Sequence, residues 1–462
     1  MIEKRFGSQT PAIEKWLVVG ITLSSSIGLG IAIARFPLGW REMVIFLFGV
    51  VAVLAILVPD DRVFAIGLGA GVASIAFGWR TFSVTPDLSF APFEFIVWSL
   101  VGALVLKNLI QQRRLRFHLS IPLALFLVFF IPAGIVAWGK GVSPDKIIGY
   151  GKNIFMIAPF FLVIQNLVRD LGTWKRLMLV AMGAGLYLSL TGLILIVVPP
   201  LGRALSGVLV TQVDPTADFT RIGFAGWGPL AAWFFILVFG VVVGLWESAQ
   251  NRLHRLFYTG VLLVIGAGIL VSGQRGAWLA LLAGLVVYGI LNPQRGLILI
   301  ALIGILILLL PQGNFLLRFE SAFVPSLYDN SAADRYYRAQ TALTAITNNP
   351  LLGLGFGVMT FVHSDYLEIG AAMGIIALGL FVAALGVTGW RLFQLQFSVK
   401  DNQLRLLARG ALITFVILIV EMLSAGFVTL AFTTVITWFF WAMCDQFVTL
   451  VEESQPVTES TG

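Results

Sequence analysis

The sequence predicts an all-α polytopic membrane protein with about 12–14 transmembrane helices and one large outer loop. Three observations carry that prediction. Hydrophobic residues make up 58% of the 462-residue chain and charged residues only 11%. The mean hydropathy is +0.95. Apolar runs of roughly 17–25 residues, the length that crosses a hydrocarbon core, follow one another along most of the chain. Inside a bilayer every backbone polar group must be satisfied within its own segment, so these runs are read as helices; the short alternating segments of a β-barrel are not seen.

Met1 to Lys15 is polar, and the first apolar run is of spanning length without a small-residue cleavage site, so no cleavable signal peptide is read. Apolar segments then fall at approximately 16–34, 43–58, 63–79, 93–110, 119–137, 147–168, 177–198, 225–246, 257–273, 276–291, 296–311, 365–390, 407–424 and 428–448. Two joins are tight, at Gly273–Gly276 and at Ala425–Gly426, which is why the crossing number stays a range. Charge orients the bundle. With the N-terminus inside, about 18 of the 30 Lys and Arg lie on the cytoplasmic side, concentrated in short loops such as KNLIQQRRLRFH and RDLGTWKR. Both termini are then cytoplasmic, and loops 199–224 and 312–364 lie outside. Loop 199–224 reads as irregular chain from its Pro, Gly, Thr and Asp content. The tail VEESQPVTESTG (451–462) reads as disordered.

The net charge of +7 belongs to this loop asymmetry and not to a nucleic-acid partner. The single cysteine, Cys444, excludes an intrachain disulfide and a cysteine-based metal site.

In so apolar a chain, the polar residues of Asn314–Gly374 stand out: Arg318, Arg335, Arg338, His363, Asp365 and Glu368. Helical spacing runs from Arg335 to Ile346 and ends before Pro350, so a helix is expected in the outer loop. Its tyrosines, Tyr336 and Tyr337, are of a kind that stacks on sugars, although interfacial anchoring is the commoner use. The glycines of GLGFG follow no strand and begin no βαβ unit; they read as a flexible turn leading to His363, not as a phosphate fingerprint. His363 directly precedes an apolar segment, where Asp365 and Glu368 have the spacing of a capping-box variant. A helix N-terminus favours a neutral imidazole and Asp365 opposes that, so the direction of any shift stays open.

Four of the charges at or inside apolar segments call for an account. Arg275, in SGQRGAW, is pinned between two spans and needs a polar cavity or an anion. A guanidinium there suits phosphate, because its planar fork donates two hydrogen bonds to one anion. Arg221 and Lys152 read as interfacial cations that snorkel. Glu421 lies deep in a segment and requires a partner or a proton; Arg275 or an arginine of the outer loop is in a position to supply one. No HExxH, Walker A or dinucleotide motif occurs, so no metal or nucleotide cofactor is expected. Energy for any reaction must then arrive with the substrate or the membrane.

SGQRGAWLALL, DRYYRAQTALTAITNNPLLGLGFG and HSDYLEIGAAMGIIALGLF, in that order, resemble the O-antigen ligase and Wzy-type polymerase superfamily. TRIGFAGWGPLAAWF resembles its upstream motif. The similarity covers roughly 205–385. It implies a GT-C-like glycosyltransferase of the bacterial inner membrane, with its site in a large periplasmic loop (312–364). The donor would be a polyprenyl-pyrophosphate-linked glycan, and the acceptor a glycan or a lipid-linked molecule. The family's arginines map onto Arg221, Arg275 and Arg335 as diphosphate ligands, with Arg338 adjacent, and its histidine onto His363 as general base. Glu368 is a second candidate for the base or an orienter of His363. Three departures touch acceptor choice: Ser364 and Gln274 replace Asn and Ser, and a Pro-Asn pair is replaced around Trp227-Gly228-Pro229.

The chain divides on this reading into N-terminal helices (1–204), a ligase-like core (205–390), C-terminal helices (391–450) and the tail. The competing class is a transporter of a small anion such as bicarbonate, because proteins proposed to act in inorganic-carbon transport carry the same domain.

Overall fold

The computed structural model describes residues 61–75, 82–85, 88–111, 115–206, 209–214, 219–224, 231–309, 330–359, 362–424, 426 and 431–454. The expected segments 16–34 and 43–58, Arg318, Trp227-Gly228-Pro229 and residues 455–462 of the tail fall outside these. In chain order the elements are α1 (Asp61–Ser74), the hairpin β1 (Phe82–Thr85) and β2 (Leu88–Phe90), α2 (Pro92–Gln111), α3 (Ile121–Val128) and α4 (Phe130–Gly139). Then come α5 (Pro144–Phe155), α6 (Ile157–Leu167), α7 (Leu171–Val197), α8 (Pro199–Ser206) and the hairpin β3 (Leu209–Asp214) and β4 (Phe219–Phe224). The rest is α9 (Ala231–Ser248), α10 (Arg252–Val271), α11 (Arg275–Leu291), α12 (Pro293–Leu309), α13 (Asn330–Asn348), α14 (Asp365–Ser398), α15 (Asn402–Ser424) and α16 (Ala431–Ser454).

Among the described residues, 9 helices or kinked helix pairs are long and apolar enough to cross a membrane, and α1, α11 and α12 are shorter apolar helices. The protein is an all-α polytopic membrane protein carrying two short antiparallel hairpins. Two of the spans are interrupted for the same reason. The α3–α4 break at Phe129 and the α5–α6 break at Met156 each lie three residues before a proline, Pro132 and Pro159. Proline lacks the N–H for the i−4 bond, and its ring crowds that carbonyl.

The bundle is built around α9, whose residues 231–247 are all buried. It packs closely on α15 because glycines face the contact. A Cβ on Gly240 would lie 2.7 Å from Thr414 N, and one on Gly244 would lie 2.9 Å from Gly410 Cα. Small residues that let helix backbones approach are the usual basis of packing in lipid, where apolar contact alone gives no preference for protein over lipid tails.

At one end of the bundle, buried Glu247 accepts hydrogen bonds from Arg409 (2.9 and 3.1 Å), Arg295 (3.1 Å), Tyr288 Oη (3.0 Å) and Asn292 (2.8 Å), tying α9, α11, α12 and α15 together. The end of the bundle opposite this clamp carries the expected site.

Three local expectations need correction. Loop 199–224 is not irregular: it contains α8 and the β3–β4 hairpin, with Leu209 opposite Phe224 and Asp214 opposite Phe219. Lys152 does not snorkel. It is buried beside Glu94 at 2.7 and 2.8 Å and lies 4.5 Å from the Phe90 ring centroid. The first four tail residues, 451–454, continue α16 as helix.

Candidate active site

Four elements meet at this end. α11 begins at Arg275, α15 ends at Ser424, α14 begins at Asp365, and α13 lies across them in the outer loop. Gly273, at φ +65°, makes the turn from α10 into α11. Gly276 then presses α11 onto α15, and a Cβ there would meet Ser424 and lie 3.1 Å from Glu421 Oε2. The absence of a side chain brings Gln274 within reach of Glu421, and its Nε2 donates to Glu421 Oε1 at 2.6 Å. Ser424 Oγ lies 3.3 Å from Glu421 Oε2. Glu421 is fully buried, and the positive charge of Arg335 acts on it from α13. The partner that this intramembrane carboxylate requires is therefore an outer-loop arginine together with Gln274.

His363 stands at the entrance to α14 with φ +61°, the one non-glycine residue at positive φ among the described residues. That conformation costs an L-residue roughly 1–2 kcal/mol, and such strain gathers where geometry serves function. Next to it, Gly426 brings the α15–α16 connection close: a Cβ there would lie 2.9 Å from Glu368 Oε2 and 3.3 Å from His363 N. Glu368 is 5% exposed. The helix N-cap is Ser364, whose side chain makes no capping bond. Asp365, expected to cap, instead falls in the first turn and is fully buried.

The direction left open by the sequence is resolved. Burial, then the charge of Arg335, then that of Arg338 push His363 down to about 4, and Asp334 opposes them. Its imidazole is neutral at pH 7, with Nε2 lying 3.9 Å from Asp334 Oδ2. Asp334 also accepts from Arg338 Nε at 2.8 Å, one helical turn along α13. The opposing acid is thus Asp334, which the sequence reading did not single out; its i, i+4 spacing to Arg338 was the available signal.

The expected residues distribute as follows. His363, Glu368, Arg335 and Arg338 gather around the start of α14. Arg275 is the first residue of α11 and is 8% exposed, between Gln274, which donates to Glu421, and Gly276, which packs beside it. Arg221 lies on β4 opposite Gln212, and its side chain falls outside the described part of the structure.

Below His363, a loop enters the bundle. α14 is broken at Gly374 (φ 87°, ψ 172°), and residues 350–355 fill the break. Leu354 N donates to Ala371 O (2.7 Å), Gly355 N to Ala372 O (2.9 Å), and Ile375 N to Pro350 O (2.8 Å). Gly353, Gly355 and Gly357 all have positive φ, so the GLGFG glycines serve the turn expected of them. Non-helical backbone at membrane depth persists where protein satisfies it. Here the loop does so, whereas a transporter's broken helix presents such groups to its substrate.

No curated protein matches the chain. The family finding lends the transport alternative no support: residues 259–382, which contain Arg275, α13, His363 and Glu368, match the family model described as O-antigen ligase, and the resemblance of this multi-pass membrane protein to that superfamily is thereby established.

Proposed function

We propose that the protein is a glycosyltransferase that transfers or polymerises a glycan from a polyprenyl-diphosphate-linked donor at the outer face of a bacterial inner membrane, on a GT-C-like scaffold. The observation that carries this reading is a neutral imidazole held beside two arginines at the end of a helical bundle, within the ligase-like segment. The excess of basic residues in the loops at the opposite end supports placing this end outside.

The donor diphosphate sits against Arg275 and Arg335, with Arg221 a third cation proposed for it; Arg338, three residues along α13 from Arg335, serves the acceptor side. The acceptor oxygen forms its bond to the anomeric carbon as the bond from that carbon to the diphosphate oxygen breaks. The electron pair leaves on the diphosphate, and the acceptor proton passes to His363. Negative charge grows on the leaving group, so fixed guanidinium groups stabilise the transition state more than the bound donor. A single displacement inverts the anomeric centre. Glu368 orients His363 or shares its proton. The lipid tail lies between helices near Arg275.

Purified protein given a polyprenyl-diphosphate glycan tests this. Arg275→Ala and His363→Ala should each lose at least about a hundredfold in transfer at normal protein levels. Wild-type rates from His363→Ala would remove the base. In cells lacking the protein, accumulated single lipid-linked units indicate a polymerase, and accumulated long chains a ligase.

A further inference from the structure

α13 presents two different faces to the site. Arg335, Ala342 and Ile346 look toward the bundle: Ala342 and Ile346 are buried in a small core with Val362 and Ala371, and Arg335 reaches Glu421 by its charge. About 100° around the helix, Asp334, Tyr337, Arg338 and Thr341 form an i, i+3, i+4, i+7 stripe. With Met359 and Val362 below it, that stripe lines a cleft of about 270 Å³.

We propose that this cleft is the acceptor subsite and holds one sugar ring of the acceptor glycan. The inference rests on the transferase reading given above and extends it to the second substrate. Its size lies below the roughly 300–1,000 Å³ of pockets for drug-sized ligands, which fits a single ring and not an oligosaccharide. Its chemistry is that of a sugar site. Tyr337 offers a 69% exposed aromatic face for the apolar side of a ring. Asp334 and Arg338, held to each other at 2.8 Å, offer an acceptor and a planar set of donors to hydroxyl groups. Met359 and Val362 give an apolar floor.

Placement decides between acceptor and donor. Inversion requires the attacking hydroxyl opposite the leaving diphosphate, with the base beside it. The diphosphate belongs with Arg335 on the bundle-facing side of α13, and the cleft opens on the other stripe. His363 Nε2 approaches from the shared edge, 3.9 Å from Asp334 Oδ2.

The test uses full-length protein in detergent with two probes. Methyl β-D-glucoside, methyl β-D-galactoside and methyl N-acetyl-β-D-glucosaminide are followed by saturation-transfer NMR, and undecaprenyl diphosphate is followed by direct binding. At least one glycoside should contact wild type. Tyr337→Ala and the cleft-filling Thr341→Trp should weaken it about fivefold to tenfold, while Tyr336→Ala leaves it unchanged. Undecaprenyl diphosphate should bind all three variants equally and be lost in Arg275→Ala. The inference is overturned if no glycoside contacts wild type, or if Tyr337→Ala and Thr341→Trp bind as wild type does. Displacement of the glycoside by undecaprenyl diphosphate itself, which carries no sugar, would assign the cleft to the donor's diphosphate and equally overturn it. Failure of undecaprenyl diphosphate to bind wild type is a separate result: it would overturn the transferase reading itself, whatever the glycosides do.

Discussion

The protonation of His363 gives the most direct test of the proposed base. Its side chain is 20% exposed, and burial with Arg335 and Arg338 pushes it from 6.5 down to about 4. That difference disfavours the imidazolium by about 3 kcal/mol. Between the two values the unfolded chain binds more protons than the folded protein, so this residue makes stability rise with pH through that window and level off above it. Catalysis should follow the folded value: kcat/KM should hold through neutral and mildly acidic pH and fall only as pH nears about 4. Arg338→Gln removes a positive neighbour and should move the midpoint toward the ordinary histidine value, whereas Asp334→Asn removes the opposing acid and should lower it further. The assay is a pH titration of ¹⁵N-histidine-labelled protein in micelles, following the resonance that disappears in His363→Gln. A midpoint at or above about 6, or one indifferent to Arg338→Gln, would refute the reasoning.

Other consequences are as open to measurement. Glu421→Ala leaves the Gln274 amide and the Arg335 charge without their buried carboxylate and should cost about 2–3 kcal/mol by thermal unfolding in detergent; Glu421→Gln keeps one acceptor oxygen and should cost less than half of that, so equal losses would discount the Gln274 bond. Gly374→Ala places a methyl against the Leu351 carbonyl at a φ of +87° and should destabilise by about 2–4 kcal/mol, whereas Gly379→Ala, with nothing within 4 Å of an added Cβ, should be neutral; a stable Gly374→Ala would mean that the break is not needed. Native Cys444 is buried, so introduced cysteines report topology cleanly: exposed Thr344→Cys on α13 should react with an impermeant maleimide in intact cells and Lys400→Cys, between α14 and α15, only after permeabilisation. The reverse pattern would place the site in the cytoplasm.

Most of the fold was legible because apolar length and proline are local signals. Each expected apolar segment that falls on described residues is helical, and Pro132 and Pro159 mark their own kinks. Misread elements were those whose cause lies elsewhere in the chain. Lys152 looked like a snorkelling residue because Glu94, its partner, is 58 positions away. Glu421 stands 147 positions from Gln274, and only packing at Gly276 brings them together. The 199–224 stretch looked irregular because its turn residues outweighed two six-residue strands. In the site, residue types betrayed the arginines and the histidine. The role of Asp334 and the strained φ of His363 depend on how α13 folds back over α14.

The interruption at Gly374 has a further implication for how the protein enters its membrane. As a solitary span, α14 would carry the carbonyls of Ala371 and Ala372 into lipid without their partners, at several kcal/mol. The residues that supply those partners lie only some twenty positions earlier in the chain and emerge from the ribosome first. Seating the glycine-rich turn as α14 inserts would avoid that cost, and would bring the outer helix that bears Arg335 to its place in the same step.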